Sequence, residues 1–182
     1  FTGAVPGGAM GQKAAGENVV PVTLELGGKS PQLVFADADL EAATPFLVNA
    51  AIQNAGQTCS ASSRILVHRS NLDEVTTRMA KRYDALKVGP ALDDLNVGPL
   101  VSSRQKEIVT GFLDQGTNLE IAAQGQIIAD APAGGSYVAP TLFTDVSPHH
   151  VLAKDEIFGP VQVIIPYDDD AEAISIAAVT EY

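Results

Sequence analysis

The chain has 182 residues, 46% of them apolar and 18% charged, which suffices for one hydrophobic core or about one and a half domains and excludes intrinsic disorder. Its 22 acidic residues against 11 basic ones leave a net charge of −11, with no electrostatic footprint for nucleic acid or an anionic membrane surface. A single cysteine excludes an intramolecular disulfide framework and any zinc site built on several thiolates, and no metal site is expected. Apolar stretches such as Val161–Ile165 are too short to cross a bilayer. The opening Phe-Thr-Gly-Ala lacks the charged start of a signal peptide, so a reduced, cytoplasmic compartment is the expectation. The first residues read as a strand end entering a glycine turn, without an initiating Met, and the last as a helix without a cap. The chain therefore reads as an excerpt of a longer protein.

In chain order, Gly8–Ala15 is predicted to be a short helix, and Pro21–Leu26 a strand by its β-branched content and alternation. Gln32–Phe35 reads as a short strand. Asp39–Asn54 reads as a helix with Asp39 as N-cap and Pro45 implying a kink or a late start. Arg64–His68 is a strand, followed by an amphipathic helix over Leu72–Leu86 with Leu72, Val75, Met79 and Leu86 on one side. Ser102–Asp114 is a helix; Leu119–Ala122 and Val161–Ile165 are strands. The Gly- and Pro-rich segment 129–148 reads as a long loop carrying one short strand, and Asp169–Tyr182 as a helix. Strands alternating with helices of this length predict an α/β fold, a mainly parallel twisted sheet flanked by helices.

Cys59 sits in Asn54-Ala55-Gly56-Gln57-Thr58-Cys59-Ser60-Ala61-Ser62-Ser63-Arg64, among small and polar residues between a helix and a strand. A lone thiol is commonly a buried small hydrophobe, but a loop on a rigid α/β scaffold is where a nucleophile is displayed, and turn N–H groups can face an oxyanion. None of His68, His149 and His150 is well placed for a Cys-His pair. Glu25 closes an apolar strand before Gly27 and Gly28, with Thr23 on its face of the alternation. It reads either as a solvent-facing residue or as a general base at the C-terminal edge of a sheet, where open α/β folds place ligands. Glu156, in Lys154-Asp155-Glu156-Ile157-Phe158-Gly159-Pro160, reads on pattern alone as a surface charge. The opening Phe1-Thr2-Gly3-Ala4-Val5-Pro6-Gly7-Gly8 is either a tight turn or a phosphate cradle at a helix N-terminus.

Together these segments carry a resemblance. Leu24-Glu25-Leu26-Gly27-Gly28-Lys29-Ser30-Pro31 resembles the glutamate signature of the aldehyde dehydrogenase superfamily, and Asn54-Ala55-Gly56-Gln57-Thr58-Cys59 its cysteine signature. Glu156-Ile157-Phe158-Gly159-Pro160-Val161 is similar to its third motif, and Phe1-Thr2-Gly3 with Gly8 to its cofactor loop. The order fits, with 34 positions from Glu25 to Cys59 and 97 from Cys59 to Glu156. The chain departs from the family at Ala4, where a serine is common, which removes a hydroxyl from the loop.

The resemblance implies oxidation of an aldehyde to a carboxylic acid with NAD or NADP. Cys59 would attack the aldehyde to give a thiohemiacetal, with its own N–H in the oxyanion hole. Hydride would pass to the nicotinamide, and Glu25 would activate water against the resulting thioester. Glu156 would hold the nicotinamide ribose, Phe158 would pack beside it, and Gly3 and Gly8 would lie near the pyrophosphate. Residues 1–26 would end a cofactor-binding domain, and 27–182 would form a catalytic domain truncated at its C-terminus, from a protein acting as a homo-oligomer. Cys59, Glu25 and Glu156 are expected to converge on one cleft at the C-terminal edge of the sheet. Alternatives are a relative that transfers the acyl group to coenzyme A or starts from an acyl phosphate, a non-catalytic member, and a plain cysteine hydrolase.

Overall fold

The computed structural model describes residues 1–182. Its elements are α1 (Val5–Glu17), β1 (Pro31–Val34), α2 (Leu40–Ile52), β2 (Arg64–His68), α3 (Leu72–Asp84), β3 (Lys87–Val88) and α4 (Ser103–Gln115). They continue with β4 (Glu120–Gln124), β5 (Gln126–Ile127), β6 (Thr141–Thr144), α5 (Val151–Lys154), β7 (Val161–Tyr167) and α6 (Asp170–Ala178). The main sheet has the order β1-β2-β7-β6-β4. Its pairs are parallel except β4–β6 at one edge. The fold is thus α/β with a mainly parallel sheet, while β3 and β5 form a small parallel pair of their own.

The central strands are apolar on both faces, the pattern of a parallel sheet covered by helices on either side. Along β2 and β7, Leu66, Val163 and Ile165 join one core with Val109 of α4, Leu152 of α5 and Ile176 of α6. The alternate residues Ile65, Val67 and Ile164 join a second core with Leu47 and Val48 of α2 and Val75, Met79 and Tyr83 of α3. Two helical layers thus sandwich the sheet. Gln162 is the one amide buried deep in this centre. It is satisfied by Tyr83, whose hydroxyl donates to Oε1 at 2.7 Å, and by the carbonyls of Leu47 and Ser62, at 2.8 and 2.6 Å from Nε2.

Local chemistry sets the element ends. Asp39 caps α2, accepting from the N–H groups of Glu41 and Ala42 at 3.1 Å. The helix begins at once and runs through Pro45. Ser102 and Asp169 cap α4 and α6 in the same way. The predicted strand Pro21–Leu26 does not form: it makes a single bridge, Thr2 to Glu25, with Gly3 N donating to Glu25 O at 3.0 Å and Glu25 N to Phe1 O at 2.9 Å. Residues 1–3 lie beside it before α1 begins at Val5, and the pairing extends no further. The helix predicted to reach Tyr182 stops at Ala178, where Val179 leaves helical geometry.

Candidate active site

A cleft of about 570 Å³ is lined by Gly3, Glu25, Cys59, Glu156 and Phe158, together with Gln57, Gln105 and apolar Leu26 and Ile108. Gly8 is outside it, buried on α1 against the side chain of Leu26. The cleft opens at the N-terminal ends of β1, β2 and β7, because its residues lie in the segments that enter those strands. The expectation of a site at the C-terminal edge is therefore corrected. At that other edge β2 turns directly into α3, and Arg69 grips Asp168 after β7 with bonds of 2.5 and 3.0 Å.

The Cys59 loop starts with an unusual turn. Asn54, Ala55 and Gly56 all have left-handed backbones, with φ of 52°, 55° and 75°. Asn54 and Gln57 lock it reciprocally, each side-chain amide donating to the other's carbonyl at 3.0 Å. Gln57 Oε1 also accepts from Val101 N at 2.9 Å. A β-carbon on Gly56 would overlap the carbonyl of Gly159, so the cysteine loop and the loop entering β7 touch backbone to backbone. Cys59 is exposed, and its N–H makes no backbone hydrogen bond within the chain.

The glutamate segment closes on both loops. A β-carbon on Gly28 would come within 2.6 Å of the Cys59 carbonyl oxygen, and one on Gly27 would overlap the Glu156 carboxylate. Gly28 N donates to Glu156 Oε1 at 3.1 Å. Close approach to backbone thus demands glycine at 28, whereas a side chain at 27 would displace the Glu156 carboxylate. Phe158 is held with φ of 55°, a conformation costly for a bulky residue. Gln105 of α4 pins this turn by donating from Nε2 to the carbonyls of Ile157 at 3.2 Å and Phe158 at 3.0 Å.

Lys29, directly after the glycine pair, is 3% exposed, and its Nζ has no hydrogen-bond partner. Burial, then the neighbouring Arg64 guanidinium, pull its pKa down to about 7, against the opposing pull of Asp155 and Glu156. Arg64 is committed elsewhere. It donates from Nε to Lys29 O at 2.8 Å, and from its two terminal nitrogens to Ile176 O and Ala177 O at 3.0 Å, the carbonyl end of α6. Sequence reading gave Lys29, Gln57 and Gln105 no role of their own. The available signal was position alone, since Lys29 and Gln57 lie inside two of the quoted motifs and Gln105 faces the third.

The histidines lie away from the cleft. His68 and His150 each accept a backbone N–H with Nδ1, from Ser70 and Leu152, and so serve local turns.

The profile of the aldehyde dehydrogenase family matches residues 1–182. A betaine aldehyde dehydrogenase of Sinorhizobium fredii is 37% identical over 185 residues, covering 100% of this chain and 38% of its own length. The NAD+ complex of an aldehyde dehydrogenase from Bacillus cereus superposes with a TM-score of 0.92 at 39% identity, covering 100% of this chain and 37% of that one. The aldehyde dehydrogenase of Mycobacterium tuberculosis complexed with NAD+ gives 0.94 at 39% identity, covering 100% and 38%. The chain thus spans less than two-fifths of the length of these relatives, and it belongs to the aldehyde dehydrogenase family.

Proposed function

We propose that the protein containing this chain oxidises an aldehyde to a carboxylic acid with a nicotinamide dinucleotide, through a covalent intermediate on Cys59. The observation that carries this reading is the meeting of Cys59, Glu25 and Glu156 in one cleft, from segments 34 and 97 positions apart. The residues present fit the cofactor. A half-buried carboxylate, fixed at one oxygen by Gly28 N–H, suits the hydroxyls of a ribose, and Leu26, Ile108 and Phe158 offer apolar surface beside it. The family relatives solved with NAD+ favour NAD+ as that cofactor.

The Cys59 sulfur attacks the carbonyl carbon, and the oxygen that becomes negative lies by the unpaired Cys59 N–H. When bound, the nicotinamide supplies the hydride acceptor that converts thiohemiacetal to thioester. Glu25 then takes a proton from water, the water oxygen adds to the thioester carbon, and the acid departs as the Cys59 thiolate is restored. Glu156 and Phe158 orient the cofactor end. Gly3 lines the cleft near it, and Gly8 supports the start of the chain by admitting Leu26. Residues 1–26 belong to the cofactor-binding side and 27–182 to the catalytic side. In support, neither buried core contains a residue before Val34.

The test uses the full-length protein. Glu25→Gln should keep a pre-steady-state burst of reduced cofactor while turnover falls about 10²-fold or more, the scale of general-base removal. Cys59→Ala should abolish both. Turnover of Glu25→Gln equal to the parent would remove Glu25 from deacylation, and turnover restored only by coenzyme A would assign an acyl-transferring enzyme.

A further inference from the structure

We propose that Gln57 is a positioning residue for the oxyanion donor: its side-chain amide clamps the left-handed turn ahead of Cys59, so that the Cys59 N–H is aimed into the cleft. The proposal rests on the reading of Cys59 as the nucleophile.

Consecutive left-handed residues are costly, most of all at Ala55, which has no polar side chain to support the conformation. Such a backbone persists only where its surroundings over-determine it. Gln57 supplies that constraint. Its Nε2 and its backbone N–H both donate to the Asn54 carbonyl, at 3.0 and 3.1 Å, and its own carbonyl accepts from Asn54 Nδ2. Its Oε1 accepts from Val101 N, just before the Ser102 cap, which ties the turn to α4 and through Val109 to the core. On the other side of the turn, Ala61 N donates to the Thr58 carbonyl at 3.1 Å, and Gly28 and Ser30 press on the Cys59 carbonyl. In a trans peptide the N–H points opposite to the C=O, so the Thr58 bond turns the Cys59 N–H away from Ala61. The Gln57 clamp fixes where that peptide starts. The N–H stays unpaired, and it can meet a developing oxyanion without reorganisation only if its peptide is held. The Gln57 amide bonds only backbone, so it acts through Cys59 rather than on a ligand.

Pre-steady-state kinetics of the full-length protein with NAD+ and propanal separate positioning from mere support of the fold. The burst amplitude counts competent sites, and the burst rate constant reports formation of the acyl-enzyme. Gln57→Leu should lower the rate constant about 10- to 10²-fold, part of the roughly 10²–10³ that complete loss of one oxyanion donor costs. Alkylation of Cys59 by iodoacetamide, a displacement that develops no oxyanion, should keep the parent's rate. Gln57→Glu keeps the size and the acceptor for Val101 N but gives up donation to Asn54, and should fall between parent and Gln57→Leu. A burst rate equal to the parent's, or a smaller amplitude at an unchanged rate, overturns the proposal, because the amide then only supports the fold. Alkylation slowed in parallel with the burst overturns it too, because the sulfur itself has then lost its reactivity. If Cys59→Ala keeps a burst, the nucleophile reading fails and the proposal falls with it. If Cys59→Ala abolishes the burst while Gln57→Leu matches the parent, Gln57 alone loses its role. Should Gln57→Leu fail to fold, Gln57→Glu decides on the same criteria.

Discussion

At the scale of single residues, the cleft presents one thiol, Cys59, and no histidine lines it. Cys59 stood out as the single thiol in a loop of small and polar residues, and Glu25 as a charge at the end of an apolar run before two glycines, whereas Glu156 and Phe158 were picked out only by the resemblance of their motif. Lys29 did not stand out, because a lysine after a glycine pair looks like any solvated charge, and burial is a property of the packed fold. That burial has a measurable cost. Lys29 titrates near 7 in the native chain and near 10.5 when unfolded. Below pH 7 it is protonated in both states, so the native state carries the full penalty of an enclosed ammonium. Between about 7 and 10.5 the unfolded chain binds the extra proton, and stability rises with pH through that window. Lys29→Met removes the penalty. The variant should therefore melt higher than the parent at pH 6, by a few kcal/mol of stability, with the gap shrinking towards pH 10. Thermal denaturation across that range checks it. A Lys29→Met protein less stable than the parent at pH 6 would mean that the carboxylates more than offset the desolvation.

At the scale of elements, capping and periodicity were readable and tertiary demands were not. Asp39 announced the start of α2, and the Leu72, Val75, Met79, Leu86 side announced the face of α3 on which Val75 and Met79 are buried, with Tyr83 joining them in the structure. Pro45 suggested a break, but the helix absorbs the missing N–H, and Thr44 bonds the Leu40 carbonyl at 2.5 Å. The alternation in Pro21–Leu26 was real, yet a strand exists only where another strand accepts its hydrogen bonds. The predicted strands already followed the Cys59 and Glu156 loops, but Glu25 was read as the end of a strand; with that strand unformed, all three segments enter strands and the cleft lies at the opposite edge of the sheet. The three left-handed residues before Cys59 are the most demanding local geometry in the chain. Gly56→Ala there combines a positive φ with overlap on the Gly159 carbonyl, and should cost at least about 1–3 kcal/mol. Gly111→Ala, in open space within α4, should instead gain up to about 1 kcal/mol. Denaturant melts of the pair give opposite signs if this account is right. An unchanged midpoint for Gly56→Ala would show that the two loops are free to part.

At the scale of the whole molecule, the cores and the site are anchored unequally. The sheet and its two helical layers hold Cys59 and Glu156 from behind, through β2, β7 and α4. Glu25 instead hangs on one bridge to the first residues, ahead of every residue in the two cores. On the outer side of that segment α1 leaves Met10 72% exposed, and beyond it Val19 is 91% exposed. Such a segment opens at little cost, because few buried contacts resist it. Two outcomes follow for the 182-residue chain produced alone. Amides at Gly3 and Glu25 should exchange with solvent orders of magnitude faster than those at Leu66 and Ile164, whose opening approaches global unfolding. The chain alone should also oxidise no aldehyde in the steady state. Glu25, the proposed base, is held by a single bridge, and water entering the cleft would weaken its electrostatics. Exchange followed by mass spectrometry, alongside a cofactor-reduction assay, measures both. Slow exchange at Glu25 together with sustained NAD+ reduction would show that these residues hold the complete catalytic apparatus, and that the domain division near residue 26 has no functional meaning.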